Sequence, residues 1–143
     1  MDRKRLTDTL IRHEALRLKP YRCSEGKLTI GVGRNIDDNG ISEDEAIYML
    51  NNDIDATEKQ LRKFSWFEDL SDVRQEVLLN LHFNIGRSSF LRFKMMIRAL
   101  ENGDYLEAGV QMKDSKWFHQ VGIRAEQLVE AMQSNSFFPN HTG

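Results

Sequence analysis

A carboxylate stands where the sequence pattern calls for an apolar side chain. Projected at about 100° per residue, Leu6, Leu10, Ile11, Ala15 and Leu18 fill one half of a helical wheel, and Glu14 falls inside that arc. A lone carboxylate is costly to bury. Glu14 is therefore either kept for proton chemistry or paired, and Arg17, near the edge of the arc, is the available partner. Cys23, the only cysteine, sits in the polar run Tyr21-Arg22-Cys23-Ser24-Glu25, an unusual setting for a free thiol, which is commonly a small buried hydrophobe. Thr29 reads as an ordinary strand threonine. His13, His82, His119 and His141 lack metal-ligand spacing, so no metal is expected. There is no Gly-Xaa-Ser-Xaa-Gly turn and no phosphate-binding loop. Gly31-Val32-Gly33 lacks the third glycine of a dinucleotide fingerprint, and no cofactor is expected.

The elements that must position these groups are mostly helical, with Pro20 and Pro139 the only prolines. The periodicity predicts a first helix over about 3–17. Residues 18–36 differ: glycines fall at 26, 31 and 33, Leu28-Thr29-Ile30-Gly31-Val32 is β-rich, and Ser24-Glu25-Gly26-Lys27 makes a turn. A small hairpin or three-strand sheet is expected there. Asp37-Asp38-Asn39-Gly40 reads as a loop, and Ser42 with Glu45 has the spacing of a capping box. The helix it opens carries Ile47, Leu50, Ile54 and Leu61 and would run to about Phe64, roughly 30 Å. Ser71 caps a helix with Val73, Val77, Leu78, Leu81 and Ile85 on its apolar side, ended by Gly86. Further helices are expected at about 90–101, 104–113 and 124–133. The fold class is α+β, mainly helical. A single domain over 1–143 is expected, with a small lobe at about 12–45, a linking helix at about 42–64 and a helical lobe at about 65–143.

Composition bounds what such a chain does. With 143 residues and 40% of them apolar, it can build a real core. A net charge of −2 argues against nucleic acid as the partner, although Arg92, Lys94 and Arg98 form a small basic stripe on one helix. An anionic target would need such a local patch for steering. One cysteine leaves no internal disulfide, as suits a chain made in a reducing cytoplasm. No apolar run follows the basic N-terminus, and no window approaches the ~20 residues of a membrane span. Neither export by a leader nor membrane insertion is expected.

Glu14, eight residues, Cys23, five residues and Thr29 together resemble the active-site signature of the phage-type lysozymes, glycoside hydrolase family 24. That signature is Glu, eight residues, Asp or Cys, five residues, Thr. The flanking text is similar too: Glu14-Ala15-Leu16-Arg17-Leu18-Lys19-Pro20-Tyr21 before the cysteine and Leu28-Thr29-Ile30-Gly31-Val32-Gly33 after it. Downstream, Phe83-Asn84-Ile85-Gly86 resembles the start of the family's cleft-lining segment, and Ser115-Lys116-Trp117-Phe118 with Arg124-Ala125 its C-terminal signature. The resemblance spans about 10–131. Between Arg34 and Ser42 this chain is shorter than longer members, which would truncate the loop after the sheet.

The resemblance implies a lysozyme-like fold and a muramidase, an endolysin cleaving the β-1,4 bond between N-acetylmuramic acid and N-acetylglucosamine of peptidoglycan. Glu14, Cys23 and Thr29 would be catalytic, Asn35, Phe83, Asn84 and Gln111 would contact substrate, and Arg124 would lie behind Glu14. The protein would act as a monomer, made in the host bacterial cytoplasm and reaching the periplasmic wall with a holin's help. Such hydrolysis needs one protonated acid at the leaving oxygen and a second group to manage water. Glu14 suits the first role: acids with apolar flanks can be lifted toward about 6, and a nearby Arg124 would oppose that, leaving only a modest rise. Cys23 has three readings: a thiolate base with its pKa lowered by Arg22, a neutral group positioning water with Thr29, or a nucleophile. Water positioning fits the family's inverting association best. The rivals are a lytic transglycosylase, which leaves anhydro ends, and an inactive wall-binding or virion structural module.

Overall fold

Asp2 opens the first helix, its side chain accepting from the Arg5 amide at 2.9 Å. The computed structural model describes residues 1–137; Pro139 and His141 lie outside the described residues. It shows the mainly helical α+β arrangement with one small antiparallel sheet that the sequence pattern predicts. The chain falls into two compact units, Met1–Leu50 and the remainder from Asn51.

In the first unit, helix α1 spans Arg3–Glu14 and stops three residues short of the expected end. The cause is local. Ala15 adopts φ 66°, ψ 151° while its amide still bonds Ile11 O at 2.8 Å. That backbone region is nearly reserved for glycine and costs on the order of 1–3 kcal/mol. The chain then enters β1 (Arg17–Arg22), which pairs antiparallel with β2 (Leu28–Gly31), which in turn pairs with β3 (Arg34–Asn35). Leu18, assigned by periodicity to the helix's apolar arc, is a strand residue and 82% exposed. Pairing to β2 overrides a pattern that, over so few residues, fits either period. Thr29 faces Tyr21 on one side and Asn35 on the other, and is buried.

Where a loop was expected, a four-residue helix α2 (Ile36–Asn39) forms, capped by Asn35, whose side chain accepts from the Asp38 amide at 3.0 Å. Asp37 and Asp38 sit in its first turn, where the helix dipole favours acids. The Ser42–Glu45 capping box is present in both directions: Ser42 N donates to Glu45 Oε1 at 2.8 Å, and Glu45 N to Ser42 Oγ at 3.2 Å. It opens α3, Glu43–Leu61, which begins in the first unit and ends in the second.

The second unit is helical. Ser71 caps α4 (Asp72–Leu91) by accepting from Arg74 N at 3.2 Å. The helix breaks at Gly86, with φ 82° and ψ 167°, and resumes to Leu91. That extension delays the next helix, α5, to Lys94–Glu101. Helices α6 (Tyr105–Lys113) and α8 (Ile123–Ser134) follow the expected pattern. Between them, α7 (Lys116–Val121) was not anticipated; Ser115 caps it by accepting from Phe118 N at 3.2 Å. Leu61, Phe67, Leu78, Leu81, Met96 and Met112 are among the fully buried side chains of the core. Gly109 lets α6 and α8 approach closely, since a Cβ there would meet the Gln133 side chain.

Candidate active site

Glu14 is the last residue of α1 and is exposed, not sunk in the apolar arc. Arg17 does not serve as its partner: the guanidinium lies over the Tyr21 ring, 4.6 Å from the centroid. What Glu14 meets is backbone. Gly33, in the turn between β2 and β3, has φ 65°, and a Cβ built there would stand 2.7 Å from Glu14 Oε2 and 3.1 Å from Cδ. The carboxyl group thus rests against the bare Cα of Gly33.

Cys23 begins a tight turn in which its amide bonds Lys27 O at 2.9 Å and its carbonyl accepts from Gly26 N at 2.8 Å. Its thiol is held below the usual range, chiefly by the backbone amide of Glu25, then by that of Lys27 and by the Thr29 hydroxyl. Partial burial and the Glu25 carboxylate oppose them. The lowering does not come from Arg22, as its proximity in sequence suggests. The Arg22 guanidinium instead donates to Gly26 O at 3.0 Å and faces Asp37 at 3.7 Å. Thr29 Oγ1 donates to Lys27 O at 2.9 Å and also borders the thiol. Its one proton serves one acceptor at a time.

Asn35 is committed within the fold. Besides capping α2, its Nδ2 donates to Asp38 Oδ2 at 2.9 Å. Asp37 and Asp38 tie α2 to the sheet, through Leu28 N to Asp37 Oδ2 at 2.6 Å and Lys27 Nζ to Asp38 Oδ1 at 3.1 Å. These roles were invisible in a segment read as a loop.

In the second unit, Trp117 gathers two of the expected substrate contacts. Its indole Nε1 donates to Asn84 Oδ1 at 2.8 Å, and the ring is nearly buried. Trp117 and Gln111 line one open cavity of about 540 Å³, with Phe93, Arg92 and Lys94. Phe93 meets Trp117 edge-on, with ring centroids 6.4 Å apart. Gln111 Nε2 donates to Glu107 Oε1 at 2.7 Å. Phe83 stands on α4 beside Asn84 and is exposed. Arg124 is engaged by Asn80, whose Oδ1 accepts from its Nε at 3.0 Å and NH2 at 2.7 Å. Cys23 and Thr29 are therefore in contact, and the Glu14 carboxyl rests against Gly33 in the turn that follows β2. Asn84 is bonded to Trp117, and Gln111 lines the same cavity as Trp117.

Gly33 was missed as a site residue. Its signal was present in Gly31-Val32-Gly33, which sequence reasoning used for the hairpin, for the resemblance and to discount a dinucleotide site, and for no role at Glu14. Among the described residues, no three His, Cys, Asp or Glu side chains gather to hold a metal ion. No described helix is long and apolar enough to cross a membrane.

The family model described as phage lysozyme matches residues 11–134. The probable T4-type lysozyme 1 of Dictyostelium discoideum is 22% identical, the match covering 92% of this chain and 95% of that one. The endolysin of Acyrthosiphon pisum secondary endosymbiont phage 1 is 33% identical over 74% of this chain and 72% of its own. The pre-baseplate central spike protein Gp5 of Enterobacteria phage T4 is 28% identical over 87% of this chain but only 27% of its own length.

Proposed function

Because the chain belongs to the phage lysozyme family, we propose that it is a muramidase hydrolysing the β-1,4 bond between N-acetylmuramic acid and N-acetylglucosamine in peptidoglycan. The observation that carries this reading is the seating of Glu14 against the turn that follows β2, the strand that holds Thr29 beside Cys23. An acid and a water-managing pair then belong to one sheet-and-helix assembly.

Glu14, protonated, delivers its proton to the glycosidic oxygen as the bond to carbon breaks. Water attacks the anomeric carbon from the opposite face, held by Cys23 and Thr29. In the inverting geometry the two groups stand about 6.5–9.5 Å apart to admit that water. The amides of Glu25 and Lys27 hold the thiol below its ordinary range, which brings the sulfur nearer to accepting the proton of the water it orients. Asn84, Gln111 and Phe83 contact the sugar strand, with Asn35 holding the α2 turn beside the sheet and Arg124 acting from its place on Asn80. The whole chain works as one catalytic domain, with a small lobe, a linking helix and a helical lobe. It acts as a monomer in host lysis, made in the cytoplasm and given access to the wall by a holin.

Digestion of purified peptidoglycan, followed by mass analysis of the muropeptide ends, tests the reading. Reducing N-acetylmuramic acid ends are expected. Anhydro ends would replace hydrolysis with transglycosylation, and an undigested wall would leave a binding or structural role. The likeness to a pre-baseplate spike protein favours that structural role as the second reading.

A further inference from the structure

Gly31, the last residue of β2, and Gly33, in the turn that follows, share a positive φ and have different surroundings. Gly31 has φ 72° and Gly33 has φ 65°, a region L side chains adopt with difficulty. A Cβ on Gly31 would meet nothing within 4 Å. A Cβ on Gly33 would stand 2.7 Å from Oε2, 3.1 Å from Cδ and 3.3 Å from Cγ of Glu14. Ordinary carbon contacts are about 3.5–4.0 Å. Conformation therefore accounts for glycine at 31, whereas at 33 the missing side chain also leaves the space that Glu14 occupies.

The other side of Glu14 is constrained as well. Ala15, the next residue, holds φ 66° and ψ 151°. A non-glycine residue there is uncommon, and such outliers persist where the surrounding structure over-determines them. The carboxyl group is thus presented by a strained backbone on one side and received by a side-chain-free Cα on the other. Because Glu14 is exposed and its side chain flexible, an alanine at 33 would be accommodated by the carboxyl group swinging away. The consequence falls on where the acid sits and spares the fold.

We propose that Gly33 is a positioning residue: its bare Cα is the seat that fixes the Glu14 carboxyl for proton delivery. This rests on Glu14 being the general acid. Misplacing a reacting group by about 1 Å can cost on the order of 100-fold, and the overlap at Gly33 demands a shift of that order or somewhat less.

The test compares Gly33→Ala with Gly31→Ala, which also places an alanine at positive φ but without the overlap. Hydrolysis of soluble peptidoglycan fragments gives kcat and KM, and the carbon-13 chemical shift of the Glu14 carboxyl gives its environment without reference to activity. Gly33→Ala is expected to lower kcat about 10- to 100-fold with KM within about twofold, and to move the Glu14 carboxyl resonance. Gly31→Ala is expected to leave both near wild type. Thermal melts show that both variants are folded; should Gly33→Ala melt low, adding Glu14→Ala removes the overlap and should raise the melt, an arm that reads the contact even in a poorly stable variant. An unmoved Glu14 resonance in Gly33→Ala overturns the seat. A moved resonance with unchanged kcat overturns its catalytic role. An active Glu14→Gln overturns the general-acid reading and, with it, Gly33's catalytic role, while the resonance still reports on the seat alone.

Discussion

Arg34 and Glu45 are joined at 2.5 Å, tying the last strand of the sheet to the first turn of α3. The same Glu45 oxygen accepts from the Ser42 amide, so one carboxylate closes both a capping box and an ion pair. Arg34 first, then Ser42, hold the Glu45 carboxyl down to about 2. A carboxyl with a depressed folded pKa contributes stability above its unfolded value, and that contribution is lost as pH falls toward the folded one. The wild type should therefore lose thermal stability between about pH 4.5 and 2, and Glu45→Gln should flatten that limb. Circular-dichroism melts across pH 2 to 6 check this. An unchanged slope in the variant would detach Glu45 from acid unfolding.

Glu14→Gln should leave a folded protein with at least about 100-fold less wall-lytic activity, the low end for losing a general acid. Turbidity loss of wall suspensions, read beside the melts, measures it. A folded variant with near-normal rates would remove Glu14 from the chemistry.

Cys23 is the chain's single thiol, so absorbance at 240 nm reports it without interference from another sulfur. Its midpoint should fall below that of the same thiol in the unfolded chain, because the amides of Glu25 and Lys27 favour thiolate. Cys23→Asp should be at least as active as wild type, since it supplies a full negative charge. Cys23→Ser should fall by about tenfold or more, because a hydroxyl does not ionise near neutral pH. A fully active serine variant would return Cys23 to neutral water positioning.

His82 is buried against Phe90, and its Nε2 has no hydrogen-bond partner among the described residues. Burial first, then the charge of Arg87, push its pKa down. The unfolded chain binds the proton more readily, so stability is lost as pH falls below about 6.5. His82→Leu should remove that loss and gain about 1 kcal/mol at pH 7 by deleting an unsatisfied group. Urea titrations at pH 7 and 5 distinguish the outcomes; equal slopes with pH in both proteins would exclude His82.

Most of this architecture was legible where short-range chemistry decides it. Ser42 with Glu45, and Ser71 ahead of an apolar helix face, announce helix starts because the cap lies within three residues of the amide it serves. The end of α1 was not legible. Ala15 looks like a helix former, and no local preference of alanine accounts for its positive φ. Arg17–Arg22 carries no β-branched residue, so its strand character comes from pairing with β2 and from no local preference. Cys23 and Thr29 could be picked out by resemblance, but the amides that act on the thiol come from a turn whose hydrogen bonds no pattern records. Gly33 was the hardest, since a missing side chain leaves no mark except its neighbours' positions.

The outer strand of the sheet has a consequence for handling the protein at high concentration. A strand with an unpaired edge can template addition of another molecule, and chains that escape this blunt the edge with cations, proline or irregularity. Strand β1 has all three: Arg17, Lys19 and Arg22, the N–H-lacking Pro20, and a break in register between Arg17 and Tyr21. At the opposite edge, β3 is two residues long and runs directly into α2. Each border of the sheet thus disfavours intermolecular β-pairing. Pro20→Val with Lys19→Val should convert β1 into an aggregation-prone border, visible as light scattering in concentrated solutions while the native protein stays clear.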